Sequence, residues 1–485
     1  MNSPPNSKYA SIVAAIMALA AIHTVSAAVH GKLKVSANHR YLEFDNGAPF
    51  FYLADTAWEL FHRLNREDAA RYLANRAQKG FTVIQAVILS ELDGLTVPNA
   101  YGDLPLTERD IARPNEAYFR HVDFIVAKAE DFGLFIGMLP TWGKYWKPPD
   151  SIFPTVESAR QYGRFLGARY KDKPVIWILG GDRAIDTSAE RATIDALAEG
   201  LRAGDGGNHL ITFHPVGPGD SSEMLNDAQW LDFNMYQSSH AARDHDNGLY
   251  AERDLKLTPL RPTLDGENRY EEIPVGFYLA GMSGLRRFDD FDVRQSAYWS
   301  VLAGACGHTY GDNNIWQMYR PPIAHKPPAG VLALLQNIWM GRDGSMIGAN
   351  VPWYAALDRP GAFQMGYMRH LFEAVPFRKL EPDQSIILNG PVSGGAKIRA
   401  ARSSDGSYAI VYSPYGESFT LNKNVVKAAR FREFWFDPRY GVSYEIDQPE
   451  RWGIQTYTPP TSGRGQDWVL LIEDAAAGFP LPDSP

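Results

Sequence analysis

The chain has 485 residues, 45% of them apolar and 21% charged, with a formal net charge of −8 and one cysteine. This is the composition of a folded globular protein, too long for one ordinary domain. The acidic balance and the lack of a long basic run exclude nucleic acid as an expected partner, and Cys306 alone cannot make an internal disulfide.

The chain opens with an export pattern. Lys8 supplies the positive start, residues 11–22 (SIVAAIMALAAI) an apolar run too short to span a bilayer comfortably, and residues 25–27 (VSA) a small-residue cleavage site. Residues 1–28 are therefore expected to be a signal peptide. No later stretch offers eighteen uninterrupted apolar residues, so an exported protein without stable membrane insertion is expected, as a monomer.

From about residue 50 to about residue 345, apolar strand-like runs alternate with amphipathic helical ones. The strand runs are 50–58 (FFYLADTAW), 81–89, 134–142, 175–180 (VIWILG), 209–215, 230–238, 261–268 (RPTLDGEN) and 307–313 (GHTYGDN). Between them, 66–80 reads as a helix ending at Gly80, and 115–133 places Phe119, Val122, Ile125, Val126 and Ala129 on one buried face. Further helical runs include 188–203 and a last one at 330–339 (GVLALLQNIW). Eight strand–helix units point to a (β/α)8 TIM barrel over residues 29–376. A doubly wound open sheet would carry a glycine-rich phosphate loop after its first strand, where this chain has ADTAW. Beyond Pro376 the runs are short, alternating and split by Gly, Pro, Asn and Asp, which predicts a small antiparallel β-sandwich over 377–485.

In such a barrel the chemistry gathers at the carboxyl ends of the strands. Those ends carry Asp55 and Trp58, Trp142, Asp182 and Arg183, His214, then Asn234, Tyr236 and Gln237, then Asp265 and Glu267, and finally His308, Tyr310, Asp312 and Asn313. An acidic, amide-rich and aromatic set suits a neutral polyhydroxy substrate such as a sugar. Two acids stand out. Asp182 follows the most apolar strand and a glycine pair that gives a substrate room to approach, and Glu267 ends the strand expected across the barrel mouth. Two facing carboxyls, one protonated and one ionised, are the working parts of glycoside hydrolysis.

Each residue has a plainer reading. Asp182 and Arg183 could form a structural ion pair, and Glu267 could be a solvated loop residue. Asp265, two residues earlier on an extended strand, is a rival on the same face. Asp55 could cap the following helix or touch substrate. His214 and His308 could belong to a metal site, but no HExxH or close His/Asp cluster occurs, so no metal and no cofactor are expected. The GMSG at 281–284 resembles a serine-hydrolase elbow only superficially.

Residues 51–85 (FYLADTAWELFHRLNREDAARYLANRAQKGFTVIQ), 139–143 (LPTWG), 177–183 (WILGGDR) and 265–271 (DGENRYE) together resemble the apiosidase-like glycoside hydrolases grouped as glycoside hydrolase family 140. The tail resembles the small sandwich that follows that catalytic domain and carries a provisional collagen-binding label. The resemblance implies a retaining β-glycosidase acting on plant cell-wall polysaccharide, with apiose in rhamnogalacturonan-type pectin as the implied substrate. It maps the acid/base aspartate onto Asp182 and the nucleophilic glutamate onto Glu267. The wider retaining-barrel superfamily uses a glutamate after asparagine as its acid, whereas this strand ends Gly-Gly-Asp. The shorter side chain then requires a closer substrate. The expected rivals are a β-glucanase- or mannanase-type hydrolase and a non-catalytic carbohydrate- or matrix-binding protein. Arg183 is expected to point away from Asp182, whose pKa it would otherwise lower. Tyr236 or His214 is expected to hydrogen-bond Glu267 and keep it ionised.

Overall fold

The computed structural model describes residues 31–277, 286–321, 346–447 and 452–483. The expected export segment, the GMSG stretch and the helix expected at 330–339 lie outside them.

A three-stranded antiparallel sheet comes first: β1 (Leu33–Val35), β2 (Leu42–Phe44) and β3 (Pro49–Phe50). The sequence reading did not anticipate it. Each of the eight expected barrel runs then holds a strand: β4 (Tyr52–Thr56), β5 (Val83–Leu89), β6 (Phe135–Thr141), β7 (Val175–Gly180), β8 (Ile211–His214), β10 (Asn234–Gln237), β11 (Thr263–Glu267) and β12 (Gly307–Tyr310). A short β9 (Gly219–Asp220) intervenes and pairs antiparallel with β10. The sheet runs β8-β7-β6-β5-β4-β12-β11-β10-β9. It curls until β8 and β10 meet, where Asp232 N–H donates to Ile211 O (2.9 Å) and Thr212 Oγ1 to Phe233 O (2.7 Å). This is a TIM barrel.

The strands are buried on both faces, as parallel strands between a lumen and a helix layer must be; all seven residues of β5 are buried. Around them lie α1 (Arg66–Gln78), α2 (Glu116–Asp131), α3 (Val156–Tyr170), α4 (Ser188–Asp205), α5 (Gly248–Asp254), α6 (Asp290–Leu302) and α7 (Pro360–Glu373). Side-chain caps mark where several begin: Asn65, Asn115, Thr155, Thr187 and Asp289 each accept a backbone N–H of the first turn. None of the helices among the described residues is long and apolar enough to cross a membrane.

The tail is a β-sandwich. One sheet runs β13 (Leu380–Pro382), β15 (Arg399–Ser403), β16 (Tyr408–Ser413), β21 (Trp468–Asp474), β18 (Phe431–Asp437), β19 (Val442–Glu445); the other holds β14 (Ile387–Asn389), β17 (Phe419–Asn422) and β20 (Ile454–Tyr457). It does not hang free. α6 is buried almost throughout and has the barrel on one side and the larger sandwich sheet on the other. There Tyr298 stacks on Tyr412 (4.7 Å), Trp299 Nε1 donates to Lys397 O (3.0 Å), and Arg294 forks onto Asp467 (3.0 and 2.7 Å). Tyr408, Ile410, Phe434 and Leu471 belong to the same buried apolar cluster as the barrel core.

Candidate active site

At the carboxyl end of the barrel a cavity of about 250 Å³ opens, lined among others by Trp58, Glu91, Trp142, Asp182, Gln237, His240, Glu267 and Tyr270. Its two central acids arrive by different local routes.

β7 ends in three successive residues of positive φ: Gly180 (+89°), Gly181 (+97°) and Asp182 (+56°). The glycines serve the neighbouring backbone rather than the substrate. A Cβ on Gly180 would lie 2.3 Å from His214 O, and one on Gly181 2.8 Å from the Gly143 nitrogen. This tight turn is held by Gly181 N–H to His214 O (3.0 Å), Gly143 N–H to Gly181 O (2.9 Å) and Trp146 Nε1 to Gly180 O (2.7 Å). It lifts Asp182 off the strand and into the cavity.

Glu267 ends β11 after a register irregularity: Tyr236 pairs with Asp265, but Gln237 pairs with Glu267. The irregularity breaks the alternation that would put both acids on one face. Asp265 therefore turns away from the cavity and accepts from Ser238 Oγ (2.8 Å) and Asn247 Nδ2 (2.8 Å). Glu267 faces two imidazoles, His214 Nε2 3.1 Å from Oε2 and His240 Nε2 3.1 Å from Oε1.

Electrostatics separate the pair. Burial and the nearby charge of Glu267 push Asp182 up to about 6, against the lowering effect of Arg183, His214 and His240. Burial also acts to raise Glu267, but the His214 and His240 contacts outweigh it and hold the carboxyl down at about 2. One acid keeps a proton under mildly acidic conditions while the other is ionised. Arg183 does not point away: Nη1 donates to Asp182 O (2.6 Å) and lies 3.3 Å from Oδ2, so its lowering effect is real but does not win.

Several expected contacts are elsewhere. Asp55 is neither cap nor cavity residue. Fully buried between strand and helix, it accepts from Tyr72 (2.6 Å) and Arg76 Nε (2.5 Å) of α1. Tyr310, beside it in β12, donates to Glu271 Oε2 (2.7 Å). Tyr236 donates to or accepts from Ser300 Oγ (2.7 Å) and stacks on Tyr250, so it does not support Glu267; His214 stands against that carboxylate at 3.1 Å. Asn234 is fully buried and does not line the cavity. Asn313 lies one layer back, joining Trp316 Nε1 (3.1 Å) and Ile347 O (2.8 Å), both on cavity-lining residues. His308 is buried with neither ring nitrogen partnered among the described residues, and burial pushes its pKa down to about 3. Among the described residues no cluster of three His, Cys, Asp or Glu side chains is arranged to hold a metal ion.

Trp58 and Trp142 form an aromatic wall (5.4 Å, 53°) whose corner is His214. Trp58 Nε1 donates to Tyr270 OH (3.1 Å). Trp142 Nε1 and Gln237 Oε1, also on the cavity, are buried without a partner among the described residues. The sequence reading missed Glu91, His240 and Tyr270. The signal for Glu91 was present: it follows β5 two residues on, just as Asp182 follows β7. His240 could not be found that way, because it lies on a loop whose course depends on the rest of the fold.

Comparison with known proteins agrees with this geometry. The family model "Apiosidase-like, catalytic domain" matches residues 36–379, and "Putative collagen-binding domain of a collagenase" matches residues 381–473. A solved structure titled "Glycoside hydrolase" is 34% identical, with 92% of this chain and 98% of that chain covered and a TM-score of 0.81. A glycoside hydrolase family 5 structure from Bacteroides vulgatus is 33% identical over 92% of this chain and 94% of that one, also at 0.81. No curated protein sequence matches significantly. With the barrel, its two-carboxyl cavity and a family match over most of its length, the chain belongs to the apiosidase-like family and is a glycoside hydrolase.

Proposed function

We propose that this hydrolase is a retaining β-glycosidase of apiosidase type, acting outside the cytoplasm on side chains of rhamnogalacturonan-type pectin. Asp182 is its general acid/base and Glu267 its nucleophile. The observation that carries this reading is that two carboxyls line one cavity in unlike surroundings, Glu267 between two imidazoles and Asp182 on a tight turn with none at its carboxyl among the described residues.

In the first step the Glu267 carboxylate attacks the anomeric carbon while Asp182 passes its proton to the departing glycosidic oxygen. In the second, Asp182, now a carboxylate, takes a proton from water, whose oxygen displaces Glu267 from the same carbon. Two inversions return the starting configuration. Asp182 N–H points to His214 Nδ1 (3.4 Å), which leaves the Nε2 proton of a neutral imidazole for Glu267. One histidine thus ties the acid's backbone to the nucleophile's side chain. The free Trp142 Nε1 and Gln237 Oε1 are a donor and an acceptor that sugar hydroxyls would satisfy.

Purified enzyme incubated with apiose-containing oligosaccharides from rhamnogalacturonan-type pectin is expected to release free apiose. Asp182→Ala and Glu267→Ala should abolish the release. Release of glucose or mannose from β-glucan or mannan instead would move the substrate; unimpaired turnover by Asp182→Ala would remove the proposed acid.

A further inference from the structure

Glu91 faces the same cavity as Asp182 and Glu267, and the structure around it is built to hold it there. Ser90 Oγ donates to Glu59 Oε2 (3.1 Å), and Leu92 N–H donates to Glu59 Oε1 (3.0 Å), so one fully buried carboxylate grips the chain on both sides of Glu91. Glu59 is itself held by His62 Nδ1 (2.7 Å). Just upstream, Leu89 O accepts from Trp142 N–H (3.1 Å), which ties the segment to the aromatic wall. Against this fixed backbone, the Glu91 side chain has no hydrogen bond or ion pair among the described residues. A fixed main chain with a free carboxyl aimed into a cavity is the arrangement of a group waiting for a ligand.

We infer that Glu91 is a specificity-determining residue that hydrogen-bonds a hydroxyl of the bound sugar, on the Asp182 side of the cavity. The inference rests on the glycosidase reading given above. Burial, and then the charge of Asp182, push the Glu91 carboxyl up to about 7, so below neutrality it can donate as well as accept.

The test measures kcat and KM separately for the wild type, Glu91→Ala, Glu91→Gln and Asp182→Ala. The substrates are the apiose-containing oligosaccharide and 4-nitrophenyl β-glycosides of neutral pentoses and hexoses. Losing one such hydrogen bond should raise KM about tenfold in Glu91→Ala, with kcat changed far less. Glu91→Gln, whose amide also donates and accepts, should recover most of that loss. Azide should speed Asp182→Ala on the nitrophenyl substrates and leave Glu91→Ala unaffected. Unchanged KM in Glu91→Ala, including with a lowered melting temperature, overturns the inference. Azide rescue of Glu91→Ala would make Glu91 the proton donor and overturn it too. Full activity in Asp182→Ala, with Glu91→Ala impaired in KM, would instead remove the Asp182 assignment alone. A wild type that cleaves none of the substrates overturns both.

Discussion

His214 Nε2 stands 3.1 Å from Glu267 Oε2, while the opposite ring nitrogen faces the backbone N–H of Asp182. A side chain at the end of β8 thereby couples the ends of β7 and β11, and it is fully buried while doing so. Removing it should loosen both acids. The imidazole stands against a buried carboxylate, and losing a polar contact to a charged group costs on the order of 1–3 kcal/mol, so His214→Ala should lower kcat by about ten- to hundredfold. Its acid limb should also shift upward, because Glu267 would lose a contact that holds its pKa down at about 2. Steady-state kinetics across acidic pH check both effects; an unmoved acid limb would contradict the role given to His214.

The wild-type pH profile should be a bell on the acid side of neutrality. Glu267 must be ionised, which fails only as the pH falls toward about 2; Asp182 must be protonated, which fails as the pH rises through about 6. kcat/KM is therefore expected to peak between those values. Rates measured from pH 3 to 9, with folding checked at each end, decide this; a maximum above pH 8 would contradict the assignment of the two protonation states.

Gly181→Ala should damage structure and activity together. Its φ of +97° is poorly suited to alanine, and the new Cβ would meet the backbone nitrogen of Gly143 at 2.8 Å. The expected cost is above about 1 kcal/mol, with kcat reduced because Asp182 is the next residue. Thermal unfolding and kinetics on the same preparation test it. Full activity would mean that the turn tolerates repacking.

Asp55 and Arg76 make a fully buried pair away from the cavity. Arg76→Ala leaves the carboxyl of Asp55 without its cation and should cost about 3–5 kcal/mol of stability, with KM little changed at temperatures where the variant is folded. Urea unfolding measures the first, and substrate titration the second. A raised KM with unchanged stability would return Asp55 to the substrate site.

The barrel and sandwich should unfold as one unit. Arg294 and Asp467 are both buried in a fork between them, and the apolar core continues across the same boundary. Arg294→Ala is expected to cost about 3–5 kcal/mol. Calorimetry of the wild type should show a single transition, whereas two separated transitions would contradict the shared core. The contact also reaches the active-site loop that carries His240: Arg399 and Lys397 of the sandwich both bind Asp246.

Much of this protein was written into local sequence. Alternation of apolar runs with amphipathic stretches determined the barrel, because each strand must be apolar enough to lie between lumen and helix layer and each helix must hide one face. The run ending in Gly-Gly-Asp and the run ending in Gly-Glu marked both cavity acids, since barrel strands end at the site. Which way a side chain faces was another matter. Strands buried on both sides show no apolar–polar alternation, so nothing local says that Asp55, Tyr236 and Tyr310 turn to the helices while Trp58 and Gln237 turn to the cavity and His214 to Glu267. The irregularity between Asp265 and Glu267, the purpose of Gly180 and Gly181, and the arrival of His240 and Glu91 beside those acids were decided only by tertiary structure. Each depends on backbone or side chains far away in the chain, which come within hydrogen-bonding distance only once the barrel has closed.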